Sequence, residues 1–574
     1  AVRIKTLPFF FPPSHTQYIP LQSPSPMTSP TPQPIYTAIS FAPVQGFIEK
    51  SRKLRDLYGA SLILSYLSSK LLEAAQNEGC EVISPGSPNI KKGMPNRILL
   101  KGYLDRDIAQ NTLREEWQRI LTTCRVWVEQ QVPVTSGYHW AQTAGQVGQQ
   151  RGEWERWGAF TWELFWGVGA DPTGAMEDLE ARKLKRDWVG INWTGESSSL
   201  SGTDAIAWPQ LGQKDPKPGR KLNDAENQAL RDFYDRLADA LEDDQNPEVQ
   251  GKFLSPEERL SIPELVKRLV TRYQDIGENL DPSFKISSFS EITRKPSDNN
   301  PSHWTGWFMG DGDKVGDHLK ELAKSGSDQA LKSFSEKMRN WGQRFEQEFD
   351  RNLGRVVYAG GDDFLGILYS RNPKKPLATR QALDWLFTIN ETWKTNDTGL
   401  TLSLGFVWAG HSVPQRDVLQ HCREAEQRSK AWDRNRVTIR VLFNNGQYVQ
   451  WTCPWEYLSI LQNYRDRDGK TGPQANWSHI YNDWEALKSR HAITLSSRVR
   501  DGTKKQPSVS ATVAISLFDL YFQDKGTEFK KSGTWEELIN TKAVRNNEDK
   551  AIATMQWIDD LIQVGWQLCR NSEA

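Results

Sequence analysis

Two short acidic motifs carry the chemistry legible in this sequence: Gly310-Asp311-Gly312-Asp313 and, further along, Gly360-Gly361-Asp362-Asp363. Two carboxylates about 4 Å apart repel by roughly 4 kcal/mol at an effective dielectric of 20, so acids that converge need a counter-ion or must hold protons. Oxygen donors with no His or Cys beside them favour Mg²⁺ or Mn²⁺ over zinc. A pair of such ions can activate a hydroxyl and neutralise a triphosphate during in-line displacement. Asp311, Asp362 and Asp363 are the candidate ligands and catalytic acids, with Asp313 as a further ligand. Gly360 and Gly361, and with them Gly312, let a nucleotide approach the backbone, since glycine accepts positive φ. Lys430 is a candidate phosphate ligand. Taken singly, each motif reads equally as a polar turn, and Lys430 as a solvated lysine.

The elements around these motifs must bring them together. HWTGWFMG is strand-like, and Leu331, Phe334, Met338, Trp341, Phe345 and Phe349 then recur every three or four residues on one helix. RVVYA and FLGILY are two β-type runs separated only by GGDD, the pattern of a tight hairpin. A helix (Ala382 to Ile389), a strand (LTLSLGFVW), a helix (Val418 to Lys430) and a strand (VTIRVLF) follow. The core of that order is βαββαβ, the split or palm-like arrangement, and it sets Asp311 and Asp313 at one strand end beside the hairpin turn that carries Asp362 and Asp363.

The rest of the chain is less specific. At 574 residues it exceeds one hydrophobic core and implies roughly four modules. Lys plus Arg and Asp plus Glu are equal at 72 each, so any nucleic-acid contact is a local patch. No apolar run reaches membrane length, and five dispersed cysteines fit a reducing cytoplasm, so a cytoplasmic protein with no membrane partner is expected. Residues 1–35 read as a proline-rich arm or linker. From Tyr36 come a strand, one long amphipathic helix from Phe47 to Leu71 and a strand, the start of an α/β layer; 100–190 reads as mostly helical and Trp-rich. DGKTG is not a phosphate-binding loop, because Tyr464 stands where the first glycine is needed.

The quoted segments resemble the large palm-containing subunit of type III CRISPR effector complexes, the subunit that makes cyclic oligoadenylate, and more narrowly its type III-B form. YAGGDDFLGILY, the preceding GDGDKVG, and LSLGFVWAG followed by EAEQRSKAWDRNRVTIRVL carry the likeness. FAPVQGFIEKSRKLRDLYGASLILSYL and MPNRILL resemble the first, GGDD-lacking palm of that subunit. The resemblance implies an α+β fold of two ferredoxin-like palms (36–190 and 300–450), an intervening helical, zinc-finger-like subdomain (191–290) and a C-terminal helical domain (451–574). It also implies metal ligands at Asp311, Asp362 and Asp363, a phosphate contact at Lys430, ATP as substrate, and activation by target RNA paired with a guide RNA held by neighbouring effector subunits. No HD nuclease motif is seen. Ser198, Ser201 and Ser261 stand where zinc-binding thiolates are expected, so no structural zinc is expected and packing alone should hold that subdomain. A stand-alone GGDEF-type diguanylate cyclase and a catalytically silent scaffold are the competing readings.

Overall fold

The alternation in YTAISFA gives β1 (Tyr36–Ala42), and the computed structural model places it at the centre of a first sheet. The residues described are 35–86, 95–134, 138, 140, 153–185, 196–211, 221–242, 253–255, 257–284, 294, 296, 301–325, 327–372, 374–495 and 507–569. The proline-rich arm and most of the linker ahead of Trp304 lie outside them.

Helices α1 (Val44–Glu49) and α2 (Leu54–Asn77), strands β2 (Glu81–Ser84) and β3 (Arg97–Lys101), helix α3 (Arg106–Gln131), strand β4 (Glu163–Gly169) and helix α4 (Pro172–Lys183) complete the first palm. Its antiparallel order is β2-β3-β1-β4, a full βαββαβ unit. Two sequence expectations change here. The long helix is broken, because Asp56 caps the start of α2 by accepting from the Arg52 and Lys53 N–H groups. The helical stretch 100–190 contains β4, which pairs with β1 along its whole length.

The segment that reads as a degenerate zinc site is held by polar contacts as well as packing, which corrects the expectation of packing alone. Ser198 Oγ donates to Glu264, which also accepts from the Ser261 N–H on entry to α5 (Ile262–Leu269). Next to it the fully buried Arg268 joins Asp56 of α2, at 2.7 Å, to Glu258, also at 2.7 Å. Burial opposes all three charges, yet mutual attraction holds Glu258 down at about 2 and Asp56 below its usual value.

The second palm repeats the topology. Strand β5 (Thr305–Gly312), helices α6 (Val315–Lys324) and α7 (Asp328–Glu348), strands β6 (Gly354–Ala359) and β7 (Asp363–Leu368), helix α8 (Thr379–Lys394) and strand β8 (Leu402–Ala409) give the order β6-β7-β5-β8. Helix α9 (Gln415–Ala431) then returns the chain to β9 (Arg436–Leu442), parallel to β8, and β10 (Tyr448–Pro454) closes that edge as a hairpin. Alternation sorts the faces. Phe308 and Phe364 point into the aromatic core under α7 and α8, while Trp307, Leu365, Ile367 and Val407 face α9 and the start of α2.

The sequence boundary at 450 falls inside β10. Trp451 is buried against Trp557 of the last helix, α11 (Asn547–Cys569), with ring centroids 5.5 Å apart. The C-terminal helices, including α10 (Pro507–Phe522), therefore extend the core of the second palm.

Candidate active site

Strands β5 and β7 run antiparallel with Asp311 directly opposite Asp363, and the Gly312 N–H donates to the Asp362 carbonyl at 2.9 Å. Directly opposite residues hold their Cβ atoms about 4.5–5.5 Å apart on one face of the sheet. Two carboxylates are thus fixed side by side, with Asp362 in the adjoining turn. That turn closes through the Gly360 N–H donating to the Asp363 carbonyl at 2.7 Å. Gly361 has φ +123°, a conformation that strains any residue with a Cβ. Gly312 has a different reason to be glycine, since a Cβ there would meet the Trp393 ring at 2.9 Å.

The last turn of α9 reaches the acids. Lys430 Nζ lies 2.6 Å from Asp311 Oδ2 and 2.6 Å from Glu426 Oε1, one helical turn earlier. Tyr358 on β6 donates to Asp363 at 3.1 and 3.2 Å. Beyond the turn, Arg97 at the start of β3 in the first palm exerts its charge on Asp362.

The electrostatics show a site with surplus negative charge. Although its outer edge meets solvent, desolvation at the packed turn and then the neighbouring Asp311 and Asp362 push Asp363 up to about 8. Asp311 is pushed up to about 6 by burial; Lys430 opposes the shift, and Asp362 adds to it. Burial also raises Asp362, against its hydrogen bonds to backbone N–H groups and the pull of Lys430. Burial works against the charge of Lys430 too, but Asp311 and Glu426 more than offset it and keep the amine protonated. A crowded, all-oxygen donor set that resists ionisation is suited to hard divalent cations.

The structure brings Asp311, Asp362, Asp363, Gly360, Gly361, Gly312 and Lys430 together. It turns Asp313 elsewhere, and this departs from its expected place among the ligands. β5 ends at Gly312, and the Asp313 carboxylate is buried, accepting from Thr401 Oγ1 at 2.7 Å, Ser403 Oγ at 2.7 Å and the Asn435 N–H at 2.9 Å. With its lone pairs engaged, Asp313 ties β5 to β8 and β9.

Sequence reasoning missed Glu426, Tyr358 and Arg97. The i,i+4 spacing of Glu426 to Lys430 could have revealed the first; Arg97 carries no local signal. The C-terminal region also holds Asp466, Asp468 and His479 with ligand atoms within 4.8 Å of one another, a group the sequence did not suggest. Both Asp466 oxygens already accept backbone N–H groups, of Lys470 and Asn476. Among the described residues no helix is long and apolar enough to cross a membrane.

A ferredoxin-like sheet with acids at the junction of its central strand and its hairpin defines a palm domain. Within that class, residues 305–438 match the family model of the Cas10/Cmr2 second palm domain, and residues 36–91 match that of the N-terminal region of CRISPR-associated protein Cmr2. The chain is thus similar to Cas10/Cmr2 in its second palm and to Cmr2 in its N-terminal segment. Among solved structures, the apo type III-B Cmr-beta complex is similar at 11% identity and a TM-score of 0.49, over 93% of this chain and 82% of that one. Csm1 in T. onnurineus follows at 15% identity and a TM-score of 0.42, over 94% and 70%. A Csm1–Csm4 cassette in complex with cA4 is similar at 15% identity and a TM-score of 0.39, over the same shares. Comparison with curated protein sequences gives no match.

Proposed function

We propose that this chain is the nucleotidyltransferase subunit of a type III CRISPR effector complex, of the III-B form, and that it converts ATP to cyclic oligoadenylate. One observation carries the reading: Asp311 and Asp363 are register partners beside Asp362, at the open end of a palm sheet, with a protonated lysine at their edge. Bound at Asp311, Asp362 and Asp363, Mg²⁺ or Mn²⁺ would supply charge neutralisation for the triphosphate and activation of the attacking hydroxyl.

The protein's own groups do the rest. Lys430 sits where it can donate to phosphate oxygens in exchange for a carboxylate, and Glu426 keeps it charged and oriented. Gly361 supplies the positive φ that closes the turn presenting Asp362 and Asp363. Tyr358 fixes the Asp363 carboxylate by hydrogen bonding. Guide and target RNA would act through the other effector subunits, which are the partners this reading requires.

The test is product analysis from assembled complex given cognate RNA, Mg²⁺ or Mn²⁺, and ATP or GTP in separate reactions. Wild type should make cyclic oligoadenylate from ATP, and Asp362→Ala/Asp363→Ala should fall to background. Equal product from both proteins would remove the site. A cyclic dinucleotide from GTP would favour a GGDEF-type cyclase, and no product from wild type would favour a scaffold.

A further inference from the structure

A groove separate from the acids runs between α7 and the end of α8, with a volume of about 450 Å³. One wall is a face of α7, on which Lys337, Asn340, Arg344 and Gln347 recur at helical spacing with Gln343 beside them. Thr395, Asn396 and Asp397, the residues that follow α8, form the other wall. The far side of α7 is taken by the GGDD turn: Met338 lies against Gly361, and Arg339 donates to the Gly360 carbonyl at 3.4 Å. The groove is therefore a second polar surface on the helix that backs that turn.

Both cations of α7 reach across the groove. Lys337 Nζ lies 2.8 Å from Asp397 Oδ2 and donates to the Asp397 carbonyl at 3.0 Å, while Arg344 donates to the Thr395 carbonyl at 3.1 Å. Asn396, between these two anchor points in the chain, is only 3% exposed. Its Oδ1 accepts from the N–H and the hydroxyl of Thr398, at 2.8 and 2.6 Å, which fixes the amide, and its Nδ2 has no acceptor among the described residues. A buried donor left unpaired costs free energy that an incoming acceptor recovers. The Lys337–Asp397 pair is easily exchanged, because its side chains are 45% and 86% exposed and solvent screens their attraction.

We infer that this groove binds a small phosphate ester. Two cations face one carboxylate there, and four side-chain amides add uncharged donors, so the complement is an anion with several acceptor oxygens. A phosphate monoester brings three such oxygens and close to two negative charges. The groove falls within the range of small-molecule sites, about 300–1,000 Å³, and leaves the amides of α7 to the organic part of the ligand. Its described lining holds no aromatic ring on which a base could stack, which favours a sugar phosphate over a nucleotide or an RNA strand.

The experiment measures equilibrium binding of ribose 5-phosphate, inorganic phosphate and ribose to the full chain in EDTA, where the metal-free acids repel a phosphate. Wild type should bind ribose 5-phosphate saturably, inorganic phosphate more weakly and ribose hardly at all. Lys337→Ala/Arg344→Ala, both at exposed positions, should weaken ribose 5-phosphate about tenfold. Asn396→Asp, which keeps an acceptor for Thr398 and puts a negative charge in place of the donor, should weaken it as much. Asp397→Asn, which frees Lys337, should tighten it about twofold. No saturable binding by wild type, affinity of the double variant within about twofold of wild type, ribose bound as tightly as its phosphate, or weaker binding by Asp397→Asn would each overturn the inference.

Discussion

The first and second palms share one strand order and place opposite charges at the same point of it. In the first, the ladder ends on Ser40 and Arg97; in the second, it ends on Asp311 and Asp363. Their handling of acids differs as well. Asp56 and Glu258, in and against the first palm, are buried with Arg268 between them and held ionised. Asp311, Asp362 and Asp363 have one lysine among them and are pushed toward protonation. The fold thus supplies a frame that is indifferent to chemistry, and the residues at one ladder end decide what the frame can bind.

The sharpest way to break this contrast is to remove the compensating cation from the first region. Arg268→Met takes the shared guanidinium from between two buried carboxylates, leaving only Lys53 beside Glu258 and backbone N–H groups on Asp56, and should cost about 3–5 kcal/mol in denaturant unfolding. Acid should expose the same network. Both acids are held below their ordinary values, so their contribution is complete above about 4.5 and is lost as pH falls toward about 2. Wild type should lose stability over that window, and Arg268→Met should lose much less. An equal slope in both proteins would show that Arg268 does not hold these acids ionised.

Two substitutions in the second palm should be smaller and opposite in sign. Asp313→Ala strands Thr401, Ser403 and the Asn435 N–H, and should cost about 2–3 kcal/mol of stability. If Asp313 were a ligand, the larger change would be in Mg²⁺ affinity. Asp363→Asn relieves crowding and should raise metal-free stability by about 1 kcal/mol, a modest figure because Asp363 keeps contact with solvent. Mg²⁺ should narrow the gap by stabilising wild type selectively. A thermal-shift series with and without Mg²⁺ decides both.

How much of this was legible depended on how local the signal was. The second palm could be read because VVYA and FLGILY alternate on either side of a four-residue turn, which forces the GGDD acids next to the strand that ends at Asp311. The first palm could not be completed from its residues. Its closing strand, ELFWGVG, lies in a Trp-rich stretch dominated by helix, and only its ladder to β1 defines it. Asp313 was grouped with Asp311 because the motif gives both the same chemistry; the strand's end at Gly312 sends them to different neighbours. Arg97 was invisible because contacts between the first palm and α7, far away in sequence, set how the two palms meet.

The smallest expected effect separates charge balance from ligation at the edge of the acid cluster. Glu426 is buried and competes with Asp311 for Lys430. In Glu426→Gln the amine keeps its neighbour but loses one of two neutralising charges, so its pull on an incoming phosphate grows. Ion pairs of this kind are worth about 0.2–1 kcal/mol, so the ATP KM of the RNA-activated complex should fall by up to about fivefold while kcat stays nearly unchanged. A large fall in kcat with an unaltered KM would instead place Glu426 among the metal ligands. The acidic end of the second palm would then contain four working carboxylates, and Lys430 would be the group they position.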